Sequence, residues 1–227
     1  LRLKLGVFMG GSLVLLASLV VLFGGQSAEH DVSCVTASHV IRAADPQKYD
    51  VVGVGIARDG SWHRPAGLTF NGTAPRTIPG RLTVEGPAVE PSTVIGRDDS
   101  GIVVLPMLHG PLGEDGTVQG MLELMDVPYV GSGVLASAVA MDKGIAKQLL
   151  SGAGIPQARH VTLHADECTG DTLATVLADL GGDVFVKPAN MGSSVGVSHA
   201  DSVRAVVDAV ALASRYDNWI VIEETVR

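Results

Sequence analysis

The chain has 227 residues, of which 46% are apolar and only 4% aromatic, and it carries a net charge of −8. That length suits one large or two small domains at roughly 100–200 residues each, and a core of Val, Leu, Ile and Ala is the usage of buried parallel strands. An acidic chain without a basic stripe excludes a nucleic-acid backbone as partner. Two cysteines in ordinary contexts, Cys34 and Cys168, point to a reducing compartment rather than a disulfide framework.

Arg2 and Lys4 precede an uncharged run over residues 5–23, long enough to resemble a signal peptide or a membrane span. Gly6, Gly10 and Gly11 interrupt it, and its end flows into Gly24-Gly25. Residues 19–23 are more simply a first buried strand closed by a glycine turn. Residues 1–18 are therefore read as an appended segment, such as a misplaced translation start, with secretion as the alternative. A helix follows, with Val32, Val35, Thr36, His39, Val40 and Ala43 at helical spacing and Pro46 beyond its end. Residues 49–56 form a second strand, and residues 61–100 an irregular or short-stranded insertion with five prolines.

Residues 102–108 are the next strand, ending in His109-Gly110. A helix presenting Val118, Met121, Leu122 and Met125 follows, then a short strand over 127–130. Alternating strands and helices imply a parallel sheet with crossover helices, and ligands gather at the carboxyl ends of its strands. After Gly133 the pattern changes. Val134, Ala138, Met141, Ile145 and Leu149 mark one long helix. Then come a strand over 161–163, a helix with Leu173, Val176, Leu177 and Leu180, a strand ending at Lys187, an apolar run over 195–197, a helix with Val203, Val206, Val207 and Val210, and a strand over 219–224. The order β-α-β-β-α-β predicts a split α+β layer distinct from the first half.

Several residues are candidates for chemistry. Between Asp183 and Gly196 a Val-Phe-Val strand ends in Lys187 and Pro188, followed by a loop with Gly192, Ser193 and Ser194. Loop N–H groups can cradle an anion and the lysine supplies a point charge; the plain alternative is a polar turn with a solvated lysine. Glu29 at the start of the first helix is either an acid favoured by the helix dipole, by about 0.3–1 kcal/mol, or an anchor for a substrate ammonium group. His109, at a strand's carboxyl end, is either a satisfied structural histidine or a substrate contact. Glu114 and Asp115 read as first-turn acids, and Lys143 and Lys147 as a solvated pair one turn apart.

Four segments together resemble the D-alanine–D-alanine ligases of the ATP-grasp superfamily: Phe23-Gly-Gly-Gln-Ser-Ala-Glu-His-Asp-Val-Ser33, Leu108-His-Gly-Pro-Leu-Gly-Glu-Asp-Gly-Thr-Val-Gln-Gly120, Met141-Asp-Lys143 and Lys187-Pro-Ala-Asn-Met-Gly-Ser-Ser-Val-Gly196. The resemblance covers residues 19–227. It implies an α/β fold: an N-terminal parallel-sheet, Rossmann-like domain over 19–133, then the first α+β subdomain of an ATP-grasp fold over 134–227. The implied reaction joins two D-alanines to D-alanyl-D-alanine through an acyl phosphate, for peptidoglycan precursors. By resemblance Glu29 holds the ammonium of the first D-alanine, Ser193 hydrogen-bonds near it, and His109 lies beside that substrate. Lys143 and Lys187 would grip the phosphates of ATP, Ser194 would close over them, Glu223 would meet the adenine amino group, and the backbone at Glu224 and Val226 would line the adenine edge. The family's Mg²⁺ or Mn²⁺ ligands, an arginine and a substrate-selecting loop are expected beyond Arg227, which implies a chain that ends before the metal-binding subdomain and does not turn over alone. A cytoplasmic homodimer, with no nucleic-acid or membrane partner, completes the expectation. Competing readings are another ATP-grasp ligase such as a D-alanine–D-lactate ligase, a non-catalytic nucleotide- or D-amino-acid-binding fragment, and a dinucleotide-binding oxidoreductase, which lacks its third spaced glycine.

Overall fold

The computed structural model describes residues 17–70, 77–95 and 101–226. The apolar run up to residue 16, with the choice between leader, span and appended segment, lies outside the described residues, as do Pro75, residues 96–100 and Arg227. Among the described residues no helix is long and apolar enough to cross a membrane.

Strand β1 (Ala17–Gly24) starts two residues before the expected strand and leads into helix α1 (His30–Ala43) and strand β2 (Tyr49–Ile56). The insertion holds two short strands, β3 (Trp62–His63) and β4 (Thr69–Phe70), and a short helix, α2 (Pro91–Ile95). Strand β5 (Ile102–Pro106) and helix α3 (Thr117–Leu124) follow. The sheet runs β3-β2-β1-β5; β1 is parallel to β2 and β5, while β3 and β4 pair antiparallel with β2. Its two faces bury alternate side chains. Val20, Leu22, Val54 and Val104 pack with Val118 and Leu122 of α3, and Val21, Phe23 and Val51 with Cys34, Ala37 and Ile41 of α1. The strand expected over 127–130 is reduced to one bridge, between Val104 and Tyr129.

Helix α1 turns a different face inward from the one its valines suggest. Val32 and Val35 are exposed, and His30, Ser33, Cys34, Ala37, Ser38 and Ile41 are buried. The sheet below is already filled by Phe23, so small side chains take the inner seats. The two buried serines keep their hydroxyls satisfied, Ser33 donating to Met107 O at 2.5 Å and Ser38 to Pro79 O.

The second half contains α4 (Val134–Met141), α5 (Lys143–Gly152), β6 (His160–His164), α6 (Gly170–Asp179), β7 (Val184–Pro188), β8 (Ser198–Ala200), α7 (Val203–Ala213) and β9 (Trp219–Glu224). Its sheet order is β6-β9-β7-β8, antiparallel throughout. The single helix expected from Val134 to Leu149 is two. Asp142 leaves helical geometry at ψ 105, and its carboxylate accepts from the Ile145 N–H at 2.9 Å as the cap of α5. A one-residue break leaves the apolar periodicity on both sides intact, so only the cap discloses it. Residues 195–197 lie in the turn before β8, not in a strand. Val184, Val186, Ile220 and Ile222 form the core with α6 and α7. Strand alternation therefore sends Phe185, Lys187 and Glu223 to the opposite face, the face on which the site is built.

Candidate active site

Parallel neighbours β1 and β5 release their loops side by side at one edge of the first sheet. Ser27 ties these loops together: its hydroxyl donates to His109 O at 2.6 Å and accepts from the Glu29 N–H at 3.1 Å. Glu29 occupies the N-cap position of α1, yet its side chain makes no capping hydrogen bond. It is 3% exposed, and its Oε2 has no hydrogen-bond partner. A helix-start acid would gain from solvent or a cap, and this carboxylate has neither; a buried polar oxygen left unpaired is costly and asks for a donor.

Two glycines crowd that carboxylate. A Cβ on Gly110 would stand 2.7 Å from Glu29 Oε2, and one on Gly192 would stand 3.1 Å from both Glu29 oxygens. Gly110, at φ 74°, favours glycine on backbone grounds as well, a Cβ on Gly192 would need the carboxylate to give by a few tenths of an ångström, and the second contact brings the serine loop of the second sheet against the first. Ser193 and Ser194, next in that loop, have φ of 46° and 59°, a left-handed geometry that is sparsely populated outside glycine and concentrates at ligand-holding loops. The hydrogen bond expected from Ser193 toward Glu29 does not reach the unpaired Oε2; it is Gly192 that faces the carboxylate. His109 Nε2 lies 3.0 Å from Thr36 Oγ1, and its Nδ1 is 3.8 Å from Glu114 Oε1. Glu114 is a loop residue rather than a first-turn acid, and its Oε2 accepts from the Gly110 N–H at 2.7 Å. Asp115 serves the start of α3, accepting from the Thr117 N–H at 3.0 Å. A cleft of about 330 Å³ opens beside His109, lined by Trp62, Leu108, Leu112 and Met121. Its walls are mainly apolar and exclude Glu29 and the lysines, so the charged groups lie outside it, in the seam between the sheets.

Lysines gather on the second sheet's side of this seam. Lys143 opens α5; its Nζ donates to Pro188 O at 3.3 Å, Ala189 O at 3.2 Å and Met191 O, pinning the root of the serine loop. Lys187 Nζ pairs with Glu223 Oε1, and Lys147 Nζ with Glu223 Oε2 at 3.0 Å. Burial lowers the pKa of all three lysines. Repulsion from Lys147 and Lys143 lowers that of Lys187 further, whereas Asp142, Asp217 and Glu29 favour the charged form of Lys143. Two ammonium groups on one carboxylate, with the third, that of Lys143, near enough to repel Lys187, suit a polyanion. Glu224 points elsewhere: it accepts from Arg159 Nε at 2.6 Å and from the Arg159 N–H at 2.8 Å, bonds that hold its carboxyl below the usual range, while its own N–H donates to Arg159 O at 3.0 Å. Val226 is exposed. Among the described residues no three His, Cys, Asp or Glu side chains group to hold a metal ion, so the implied divalent cation finds no such set here.

The chain matches the family described as D-ala D-ala ligase N-terminus over residues 18–132 and the D-ala D-ala ligase C-terminus over residues 149–227. It belongs to the D-Ala-D-Ala ligase family. A D-alanine–D-alanine ligase from Bacillus pumilus is 42% identical over 222 residues, which cover 92% of this chain and 61% of that relative. The solved D-alanine-D-alanine ligase of Coxiella burnetii aligns with a TM-score of 0.79 at 33% identity, over 93% of this chain and 64% of that one. The VanG D-Ala:D-Ser ligase of Enterococcus faecalis aligns at 0.71 and 30% identity, over 93% and 63%. The chain thus spans about three fifths of the length of the curated relatives it matches. The α/β architecture, a parallel-strand sheet followed by an antiparallel one, is that of these D-Ala-D-Ala ligases, which share the ATP-grasp fold.

For this family member, sequence reading gave Ser27 no role and took Glu114 for a first-turn acid and Lys147 for a solvated lysine. Lys147 had a signal, since it lies one helical turn from Lys143 on the same face of α5. Ser27 and Glu114 had none, because their roles depend on two loops meeting in space.

Proposed function

We propose that this chain carries the nucleotide and first-amino-acid sites of an ATP-dependent ligase that joins two D-alanines into D-alanyl-D-alanine for peptidoglycan precursors. The observation that carries this reading is the buried, partly unsatisfied carboxylate of Glu29, set against the serine loop and a few residues from a lysine cluster. Glu29 would accept the ammonium of the first D-alanine, leaving that substrate's own carboxylate toward the lysines. Its oxygen attacks the γ-phosphorus of ATP, the bond to ADP breaks, and an acyl phosphate forms. The amine of a second D-alanine then attacks the acyl carbon, expels phosphate and loses a proton. Phosphorylation is needed because a free carboxylate is a poor electrophile.

Lys143 and Lys187 would neutralise phosphate charge, Ser193 and Ser194 would close the loop, and His109 would stand beside the acyl phosphate. Glu223 would meet the adenine amino group, with the backbone at Glu224 and Val226 along the adenine edge. Catalysis here is positioning and charge neutralisation. The two units, 19–133 and 134–227, would each supply one side of the seam. The relatives named D-alanine–D-alanine ligase, at 42% identity, support D-alanine as the second substrate. Two free thiols, Cys34 and Cys168, support a cytoplasmic setting. Calorimetry of the chain with a non-hydrolysable ATP analogue, then with D- or L-alanine, tests the proposal. Nucleotide binding followed by D-selective amino-acid binding is expected; absence of nucleotide binding would overturn the reading.

A further inference from the structure

We infer that Lys147 is a specificity-determining positioning residue: by holding one oxygen of Glu223 it fixes that carboxylate as an acceptor that selects a 6-amino over a 6-oxo purine. The inference rests on the nucleotide reading above and deepens it.

Glu223 divides its two oxygens between two lysines, Oε1 to Lys187 and Oε2 to Lys147 at 3.0 Å. Lys187 and Glu223 reach one face of the sheet by strand alternation, since Phe185 pairs with Glu223 and Lys187 with Val221. Lys147 comes from α5, one turn after Lys143 and on its face. Gly144 lies against Thr162 of β6, where a Cβ would stand 3.0 Å from Thr162 Cγ2, so α5 rests close over the strand that pairs His160 with Glu223. The side chains of Lys147 and Glu223 are both only 15% exposed.

A carboxylate held by Lys187 alone is free to turn both oxygens onto it. Lys147 pulls the second oxygen away and sets the carboxylate plane between the two cations. Each oxygen has about two lone-pair sites, so each keeps one for a further donor. An exocyclic amino group supplies that donor, whereas a carbonyl at the same place sets lone pairs against lone pairs. Sites built to accept from a substrate N–H reject the analogue lacking it because their buried polar atoms are left unpaired. Two simpler roles fit less well. A buried ion pair adds little net stability over apolar packing, and this one also sets the ammonium group of Lys147 against that of Lys187. A plain phosphate role would leave the pairing of Lys147 with Glu223 Oε2 at 3.0 Å without a purpose.

The test compares the affinity of the chain for ATP and for ITP, which differ at the purine 6-position and share the same triphosphate, without amino acid. The unaltered chain is expected to prefer ATP. Lys147→Met should cut the ATP-to-ITP affinity ratio about tenfold, chiefly by weakening ATP, and Lys147→Arg should hold it within about twofold. Glu223→Gln should cut the ratio as well, and adding Lys147→Met to it should cut no further. If Lys147→Met does not fold, Lys147→Gln carries the same comparison. Loss of affinity for both nucleotides at an unchanged ratio would overturn the inference and leave the nucleotide site standing. An unaltered chain that binds neither nucleotide, or both equally, would overturn the site reading itself and the inference with it.

Discussion

Glu29 is held 3% exposed with Oε2 unpaired, against the hydration that a carboxylate loses on burial. α1 starts without a cap bond from it, its neighbours Gly110 and Gly192 offer it no side chain, and the charge that it favours is that of Lys143 across the seam. Stability lost at such a position is the usual mark of a group kept for a ligand. Glu29→Gln preserves volume and removes the charge, so it is expected to raise the melting temperature by about 2–4 °C, on the order of 1 kcal/mol for a chain of this size. The same change should weaken D-alanine binding by roughly 10–100-fold, because a charge-assisted hydrogen bond to an ammonium contributes about 1.5–3 kcal/mol. Thermal unfolding and amino-acid titration of one preparation check both halves. A variant that loses stability and keeps its amino-acid affinity would assign Glu29 to the fold instead.

The break between α4 and α5 is the element on which the lysines depend. Asp142 caps α5 through the Ile145 N–H, and its Oδ2 lies 3.4 Å from Asn190 Nδ2, so one side chain joins the start of the helix to the serine loop. Lys143 and Lys147 take their register from that start. Asp142→Ala is expected to cost about 1 kcal/mol of stability, typical of a lost cap, and to weaken ATP binding as well. Asp142→Asn, an equally good cap, should retain most of both; equal losses in the two variants would assign the effect to charge rather than to capping. The same element shows what sequence can disclose. Periodicity located β2, β9, α3 and α6, whose large apolar side chains do face the core, and the glycine- and serine-rich motifs located Glu29, His109, Lys187 and the loop after it. It chose the wrong stripe on α1 and half the wrong stripe on α7, where Ala209 and Ala213 are buried while Val203 and Val207 stay more than a third exposed. Helices that lie close on a sheet seat alanine, serine and cysteine inward, and a hydrophobicity pattern ranks those residues too low. The pairing of Ser27 with His109, and of Lys147 with Glu223, joins positions 82 and 76 residues apart, a proximity that only the folded chain creates.

At the scale of the molecule, an acidic chain of net charge −8 would, on the proposed reading, have to attract a triphosphate, and the three half-buried lysines would be its means of doing so. Fields from distant carboxylates are screened beyond about 8 Å at physiological ionic strength, so the lysines and the carboxylates beside them, Glu223, Glu29, Asp142 and Asp217, set the field that the nucleotide would meet. Their lowered pKa values give this a measurable consequence. In the range just below the ordinary lysine value of 10.5, some of these groups are neutral in the free protein, and bound phosphate favours their charged form. Binding therefore takes up protons in that range. Uptake vanishes well below the depressed values, where all three are already charged, and well above 10.5, where none is. Affinity accordingly falls as pH rises through the window, because protonation must then accompany binding. Folding stability is a poorer probe of the same groups, since burial raises the pKa of Cys34, Cys168 and Tyr129, and groups raised in this way lose stability with rising pH where depressed lysines gain it. Calorimetry of ATP binding in buffers of different ionisation enthalpy, at about pH 9, isolates the lysine contribution. Proton uptake that shrinks in Lys187→Ala is expected; proton release, or uptake unchanged by that substitution, would place the nucleotide's phosphates away from the lysine cluster.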